Sequence, residues 1–193
     1  PLLTSHQLNN ATLLGDAILA FMAFSLCASS VYVLNDLLDL DADRLHSTKK
    51  LRPFAAGDLS LPSGFALALL LLATSGGLTL LLPRDFAVVL ALYFALTMSY
   101  SRRLKQLVLL DVFFLAGLYT MRLIAGHEAS GIAYSFWLLA FSMFIFLSLA
   151  LVKRYLELFG LRQEIKTNAK ARGYTANDLE MVASLGTASG YLS

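Results

Sequence analysis

The sequence predicts an all-α protein, built as a polytopic transmembrane helical bundle, and three observations support this fold class. Hydrophobic residues make up 58 % of the 193 residues, against about 45–50 % in soluble domains. Charged residues make up only 15 %, against about 25 % in soluble proteins. These charges are clustered between long uncharged runs, which is the arrangement expected of loops that connect membrane-crossing helices.

Five stretches of the sequence come close to the length of about 20 largely apolar residues that a helix needs to cross a bilayer. The connections at 83–85 and 126–131 are very short, so the spans on either side of each should run antiparallel as neighbours. The whole chain, 1–193, is predicted to form a single membrane domain, and we expect it to be a piece of a longer protein. The predicted spans cover residues 11–34, 63–82, 86–100, 107–125 and 132–152, with a sixth starting near 176.

The lysines and arginines are distributed unequally between the two sides of the predicted bundle. With five spans in this order, every one of them except Arg84 and Arg122 falls in loops on the same side. Positively charged loops are retained in the cytoplasm, so this side is predicted to be cytoplasmic. The orientation explains the net charge of +2, and no nucleic-acid partner is expected.

An acidic segment, N-D-L-L-D-L-D-A-D, runs from Asn35 to Asp43 directly after the first apolar span. If the helix continues through it, Asp36, Asp39 and Asp43 are spaced i, i+3 and i+7 and share one face. Three carboxylates on one face repel one another, so a cation should neutralise them. Mg²⁺ prefers oxygen ligands and is usually held by one or two carboxylates together with substrate phosphates. The segment therefore predicts a catalytic Mg²⁺ site at the three aspartates, with Asn35 beside it.

A basic segment, residues 49–52, follows the acidic one and holds Lys49, Lys50 and Arg52. Lysine and arginine bind phosphate oxygens. These residues are therefore predicted to hold the phosphates of a diphosphate substrate whose charge Mg²⁺ partly neutralises. The alternative is that both segments form the solvated end of a cytoplasmic helix. The one-sided spacing of the aspartates and the basic residues after them favour the binding site.

Two motifs resemble signatures of the UbiA superfamily of intramembrane prenyltransferases. The pattern N-D-x-x-D-x-x-x-D lies in the acidic segment, and R-P-x-x-x-G continues it. A second element, Y-S-x-x-L-K, follows the third span. The resemblance implies a nine-helix membrane fold around a central cavity, of which this chain would carry a part, and a diphosphate-binding role for the second element. The matching residues are Asn35, Asp36, Asp39 and Asp43, then Arg52, Pro53 and Gly57, then Tyr100, Ser101, Leu104 and Lys105.

The family's second acidic motif, D-x-x-x-D, is missing from the place where the resemblance puts it, after the fifth span. That place reads Lys153-Arg154-Tyr155-Leu156-Glu157, in which only Glu157 is acidic. Two basic residues suit an anion better than a second metal ion. Lys153 and Arg154 are therefore predicted to bind an anion, and a phosphate-bearing acceptor would fit. The resemblance to the branch of the family described next implies that Lys153 or Arg154 binds a lipid phosphate.

In overall pattern, including the run from Leu118 to Gly126, the chain is most similar to the decaprenyl-phosphate phosphoribosyltransferase branch of this family. That branch implies transfer of phosphoribose from phosphoribosyl diphosphate to a polyprenyl phosphate, in cell-envelope biosynthesis. It also implies Mg²⁺ as cofactor and two substrates, a polyprenyl lipid and a diphosphate-bearing small molecule. The active site would lie on the cytoplasmic side of a bacterial inner membrane.

Two other functions remain open from the sequence. Prenyl transfer from a prenyl diphosphate to an aromatic acceptor, such as a quinone or haem precursor, would need the missing second acidic motif. A transporter would place charges near the centres of its spans, since intramembrane acids mark ion pathways, whereas almost all the charges here lie at cytoplasmic ends. Asp111, just inside the fourth span, either has a functional role or pairs with a basic neighbour such as Lys105, and a catalytic role for Glu157 is equally open.

Overall fold

The computed structural model describes residues 2, 4–7, 9–45, 48–102, 104–163 and 173–193. Eight α-helices account for most of these residues, and the predicted all-α fold class is confirmed. The helices are α1 (Ala11–Leu38), α2 (Leu40–Leu45), α3 (Pro53–Ala56), α4 (Leu61–Thr79), α5 (Arg84–Arg102), α6 (Leu110–Ser130), α7 (Phe136–Gln163) and α8 (Leu179–Leu192).

Among the described residues, three helices are long and apolar enough to cross a membrane: Ala11–Leu38, Leu61–Thr79 and Phe136–Gly160. They overlap the first, second and fifth predicted spans. Helices also lie at the third and fourth predicted spans, where α5 carries Asp85 and α6 carries Asp111. The number of spans and the single membrane domain stay predictions for this chain.

The chain divides into two compact units. The first contains Pro1–Ala95 and Ala125–Ile132, and the second contains Leu96–Ile124 and Ala133–Ser193. The first unit therefore holds α1 to α4 with the acidic and basic segments. The second unit holds α7 and α8, and α5 and α6 contribute one part to each unit.

In the first unit, α1 packs along α4, and two buried serines join the helices. Ser30 Oγ of α1 donates to the carbonyl oxygen of Ala68 in α4, at 2.9 Å. Ser75 Oγ of α4 donates in return to the carbonyl oxygen of Ala23 in α1, at 2.7 Å. Packing of small residues and hydrogen bonds between helices hold helices together where lipid removes the hydrophobic driving force, so this seam suits a membrane interior.

The basic segment leads directly into the short helix α3, which contacts α4 through Phe54. Pro53 opens α3 and keeps Arg52 in an extended conformation, with φ −65° and ψ 144°. Gly57 ends α3 in the left-handed region, with φ 88°, where a glycine carries no steric cost. The buried ring of Phe54 lies against Gly64 of α4, where an added Cβ atom would be 2.7 Å from the ring. The buried ring of Phe54 therefore sets the residue that follows Arg52 and Pro53 beside α4.

In the second unit, the core forms between α6, α7 and α8. Val112, Leu151, Leu158 and Val182 are buried in it. A buried apolar core of this kind stabilises the helix assembly by removing side-chain surface from solvent and by close packing. The predicted sixth helix is α8, which follows a short 3₁₀ turn that a capping box at Thr175 begins.

Candidate diphosphate and metal site

The acidic and basic segments meet, within the first unit, at the guanidinium of Arg52. Its Nη1 atom donates to Asp36 Oδ1 and to Asp43 Oδ2, and both distances are 2.8 Å. Asp36 lies in the last turn of α1 and Asp43 lies in α2. The two helices therefore direct two carboxylates at one point, and a cationic nitrogen lies at that point.

The backbone between these aspartates follows a nearly continuous helical path. Asp39 caps α1, and its N–H donates to the carbonyl oxygen of Asn35 at 2.9 Å. The N–H of Asp43 then donates to the carbonyl oxygen of Asp39 at 2.8 Å. Both bonds link residues four apart, as in an α-helix. This path is what brings Asp36 and Asp43 to the same side.

Burial differs sharply within the cluster. The side chain of Asp43 is 4 % exposed, whereas those of Asp36 and Arg52 are 34 % and 41 % exposed. Lys49 Nζ lies 3.9 Å from Asp43 Oδ1, and Lys50 is exposed beside it in the chain. Asp43, the most buried carboxylate of the cluster, is thus approached by the side chains of Arg52 and Lys49, both of which are partly exposed to solvent.

The residues present fit a Mg²⁺ ion. Asn35 Oδ1 is a buried acceptor that has no hydrogen-bond partner among the described residues, and it lies next to Asp36 in the chain. Carboxylate and amide oxygens are the hard donors that Mg²⁺ prefers. No three acidic, histidine or cysteine side chains form a metal-ligand group in the described part of the chain. Mg²⁺ is commonly held by one or two carboxylates, waters and substrate phosphates, so a complete set of protein ligands is not required.

A second Asp–Arg cluster lies within the second unit, and it is buried. Arg154 of α7 donates through Nη2 to Asp111 of α6 and through Nη1 to Glu157, one turn further along α7. The side chains of Arg154 and Asp111 are 2 % and 0 % exposed, whereas that of Glu157 is 35 % exposed. Both terminal nitrogens of Arg154, a predicted ligand of the lipid phosphate, are therefore engaged by carboxylates and shielded from solvent.

Tyr174 completes the buried cluster from the chain that follows α7. Its hydroxyl donates to Asp111 Oδ1 at 2.6 Å and accepts from the N–H of Leu109 at 2.7 Å. Burial of the hydroxyl, together with its hydrogen bond to Asp111, raises the pKa of Tyr174. Gly173 precedes it with φ +85°, and a Cβ atom there would collide with the backbone oxygen of Gln106. This segment is therefore closely fitted to the residues before α6.

The remaining predicted site residues belong to the second unit. Tyr100 is buried and Ser101 is half-buried at the end of α5, and Lys153 is exposed on α7. The side chain of Lys105 lies outside the described residues. Tyr174 was missing from the sequence prediction, because a tyrosine after a glycine in a polar loop carries no signal that it reaches a buried aspartate.

These features define a helical membrane protein with an exposed cluster of acidic and basic side chains suited to a metal ion and an anion. The chain belongs to the UbiA prenyltransferase family, which matches residues 2–170. The resemblance carried by the motifs is thereby confirmed. Three apolar helices together with this family membership make it an integral membrane protein.

Several relatives are similar over most of the chain. It is 44 % identical to the uncharacterised protein y4nM of Sinorhizobium fredii, over 88 % of this chain and 33 % of that protein. It is 37 % identical to the decaprenyl-phosphate phosphoribosyltransferase of Mycolicibacterium smegmatis, over 86 % of this chain and 52 % of that enzyme. The chain thus spans between a third and half of the length of these relatives.

One solved structure has the same fold. It is a UbiA homologue from Archaeoglobus fulgidus bound to DMAPP and Mg²⁺, with a TM-score of 0.72 and 17 % sequence identity, and the match covers 92 % of this chain and 64 % of that one. The similarity confirms the helical membrane fold. Similarity to phosphoribosyltransferases supports neither of the two alternative functions, aromatic prenylation and transport.

Proposed function

We propose that the protein transfers phosphoribose from phosphoribosyl diphosphate to a polyprenyl phosphate, with Mg²⁺ as cofactor, at the cytoplasmic face of a bacterial inner membrane. The observation that carries the proposal is the convergence of Asp36 and Asp43 on one cationic position, beside exposed basic side chains. The similarity to phosphoribosyltransferases supports the choice of substrates.

The acidic and basic segments divide the work of binding the diphosphate substrate. Asp36 and Asp43, whose carboxylates converge, would hold the metal ion with Asn35 beside them, and Asp39 is assigned to it on its match to the family motif. Bound Mg²⁺ would neutralise part of the negative charge of the diphosphate and stabilise the charge that develops on the diphosphate as it leaves. Lys49, Lys50 and Arg52 bind the phosphate oxygens and orient the sugar.

The reaction exchanges one carbon–oxygen bond for another. The bond between C1 of the ribose and the diphosphate oxygen breaks, and diphosphate leaves with the electron pair. A bond forms between C1 and an oxygen of the lipid phosphate. Because that phosphate is already anionic, no protein base has to remove a proton. The protein's residues therefore contribute by positioning the two anions and by stabilising charge.

The residues that would bind the lipid phosphate lie in the second unit. Lys153 is exposed, and we assign the phosphate of the lipid acceptor to it. Arg154 is paired with Asp111 and Glu157, so phosphate binding by Arg154 requires that pairing to open. Tyr100, Ser101 and Lys105 are assigned to the diphosphate on their match to the family motif.

The proposal is tested with the full-length protein in liposomes that contain polyprenyl phosphate. Radiolabelled phosphoribosyl diphosphate is added with and without Mg²⁺, and labelled lipid is measured. Asp43→Asn should lower the rate at least about a hundredfold, by loss of metal-dependent charge stabilisation. Asp41→Asn, at an exposed aspartate of the same segment, is the matched control and should keep most of the activity. Failure to form labelled lipid, with Mg²⁺-dependent consumption of a prenyl diphosphate and an aromatic acceptor instead, would contradict the proposal.

A further inference from the structure

A single nitrogen atom of Arg52 occupies the point on which two carboxylates converge. Nη1 lies 2.8 Å from Asp36 Oδ1 and 2.8 Å from Asp43 Oδ2. A divalent cation held by these two carboxylates would need the space that this nitrogen occupies. Two positive groups at one position repel strongly, so Arg52 and a metal ion compete for these oxygens.

The geometry points to Arg52 as an internal counter-cation that the metal ion displaces and that then turns to the diphosphate. In the metal-free protein the guanidinium neutralises the two carboxylates. When the metal ion takes those oxygens, the released guanidinium offers its fork of N–H donors, which matches phosphate oxygens. This inference rests on the proposed function and adds a physical link between metal binding and diphosphate binding.

The side chain of Arg52 is free to make this exchange although its backbone is fixed. The side chain is 41 % exposed, so it can rotate into solvent between staggered conformations. Its backbone is held by the adjacent Pro53 and by a 2.8 Å hydrogen bond from the N–H of Ala56 to the carbonyl oxygen of Arg52. The exchange therefore needs side-chain rotation and no movement of the segment.

Asp43 makes the exchange conditional on a replacement cation. Its side chain is 4 % exposed, and a carboxylate buried without a partner is strongly destabilising. Lys49 Nζ forms a longer ion pair with Asp43 at 3.9 Å, but at this distance it does not replace the hydrogen bond that Arg52 donates. Arg52 should therefore leave Asp43 only when a metal ion arrives, and a guanidinium released in this way is present only in the metal-bound protein.

The competition is measured directly with Mn²⁺, whose free form is detected by electron paramagnetic resonance. Mn²⁺ is titrated into the full-length protein in nanodiscs, in the absence of any phosphate compound. Arg52→Met should bind Mn²⁺ about tenfold more tightly than the wild type, because the competing charged hydrogen bonds are gone. Arg44→Met removes the same charge from an exposed arginine next to Asp43. This matched control should change the dissociation constant by less than about threefold, as expected for a solvent-screened charge.

A second titration tests the other half of the exchange, with inorganic diphosphate as the probe at saturating Mn²⁺. Arg52→Met should bind diphosphate at least about tenfold more weakly than the wild type, since a charge-assisted hydrogen bond is lost. The same substitution thus acts in opposite directions on the two ligands. Arg52→Lys keeps the charge without the planar fork, so it should keep most of the competition for Mn²⁺ and still lose diphosphate affinity.

The two proposals fail in different ways. If Arg52→Met and Arg44→Met change Mn²⁺ affinity equally, or if Arg52→Met weakens it, the exchange is overturned. The proposed function survives that result as long as Asp43→Asn abolishes Mn²⁺ binding. If Asp43→Asn leaves Mn²⁺ binding of the full-length protein unchanged, both the exchange and the metal site of the proposed function are wrong.

Discussion

The two Asp–Arg clusters are built from the same residue types and differ in their access to water. Arg52 is 41 % exposed and bridges two carboxylates of the first unit, whereas Arg154 is 2 % exposed and joins two carboxylates of the second. The partly exposed pair of Arg52 with Asp36 contributes little to stability, whereas the buried carboxylate of Asp43 can exchange Arg52 only for another cation. A buried pair is costly to open, because each charge would lose its partner where water cannot replace it. The exposed fraction of the arginine side chain, more than the residue types, therefore distinguishes a site that can bind a ligand from an ion pair that stabilises the fold.

Removal of Arg154 should have the largest effect on stability. Arg154→Met leaves Asp111 fully buried without its cationic partner, and loss of one partner of a buried pair costs about 3–5 kcal/mol. The measurement is the fraction of protein that stays monodisperse in detergent after heating. The double variant Arg154→Met with Asp111→Asn removes both charges and should recover much of the loss. Equal stability of the single variant and the wild type would show that the buried pair does not hold the second unit.

Removal of the Tyr174 hydroxyl should have an intermediate effect, with a characteristic pH dependence. Tyr174→Phe loses hydrogen bonds to Asp111 and Leu109 and should cost about 1–3 kcal/mol at neutral pH. The folded protein raises the pKa of Tyr174 above its usual value of about 10. The hydroxyl therefore contributes stability that is complete below pH 10 or so and falls as the pH rises further, because the unfolded chain then releases the proton first.

The pH dependence is measured by chemical unfolding of wild type and Tyr174→Phe between pH 8 and the alkaline limit of the detergent. The stability difference between the two proteins should shrink above about pH 10. A difference that stays constant across this range would argue that the tyrosine contributes only packing. Tyr191→Phe, at an exposed tyrosine of α8, serves as the control for titration of the other tyrosines.

Loss of the carboxylate charge of Asp36 should have the smallest effect on stability. Both Asp36 and Arg52 are substantially exposed, so Asp36→Asn should change the free energy of unfolding by less than about 1 kcal/mol without metal. The same substitution should abolish Mg²⁺-dependent transfer. A stability loss as large as that of Arg154→Met would remove the distinction between the two clusters.

The sequence was sufficient for the fold class and for the composition of the exposed cluster. Hydropathy reports α1, α4 and α7 most clearly, because each of these apolar runs is long enough to cross a membrane. The spacing of Asp36 and Asp43 reports their common direction, because they lie on one nearly continuous helical path. The predicted roles of these residues in catalysis stay predictions. The common direction of Asp36 and Asp43 could be predicted because the two residues lie close together along the chain.

The buried cluster could not be read in the same way. Tyr174 lies 63 residues from Asp111 along the chain, and Arg154 lies 43 residues from it. Nothing in the spacing of these residues indicates that α6, α7 and the segment before α8 bring them together. The sequence therefore presents Arg154 as an available cation, whereas the packing of the second unit surrounds it with carboxylates and a tyrosine.

The paired serines of α1 and α4 have a consequence for how the protein is assembled. Apolar side chains tolerate sliding of one helix along another, because contacts with lipid and with protein are similar in energy. Ser30 and Ser75 each bond a specific carbonyl on the opposite helix, and a shift by one turn would break both bonds at once. Because α1 and α4 follow one another among the apolar helices of the described residues, this register is defined once both have entered the bilayer. The site at the end of α1 thus lies on a helix pair whose register depends on two specific hydrogen bonds.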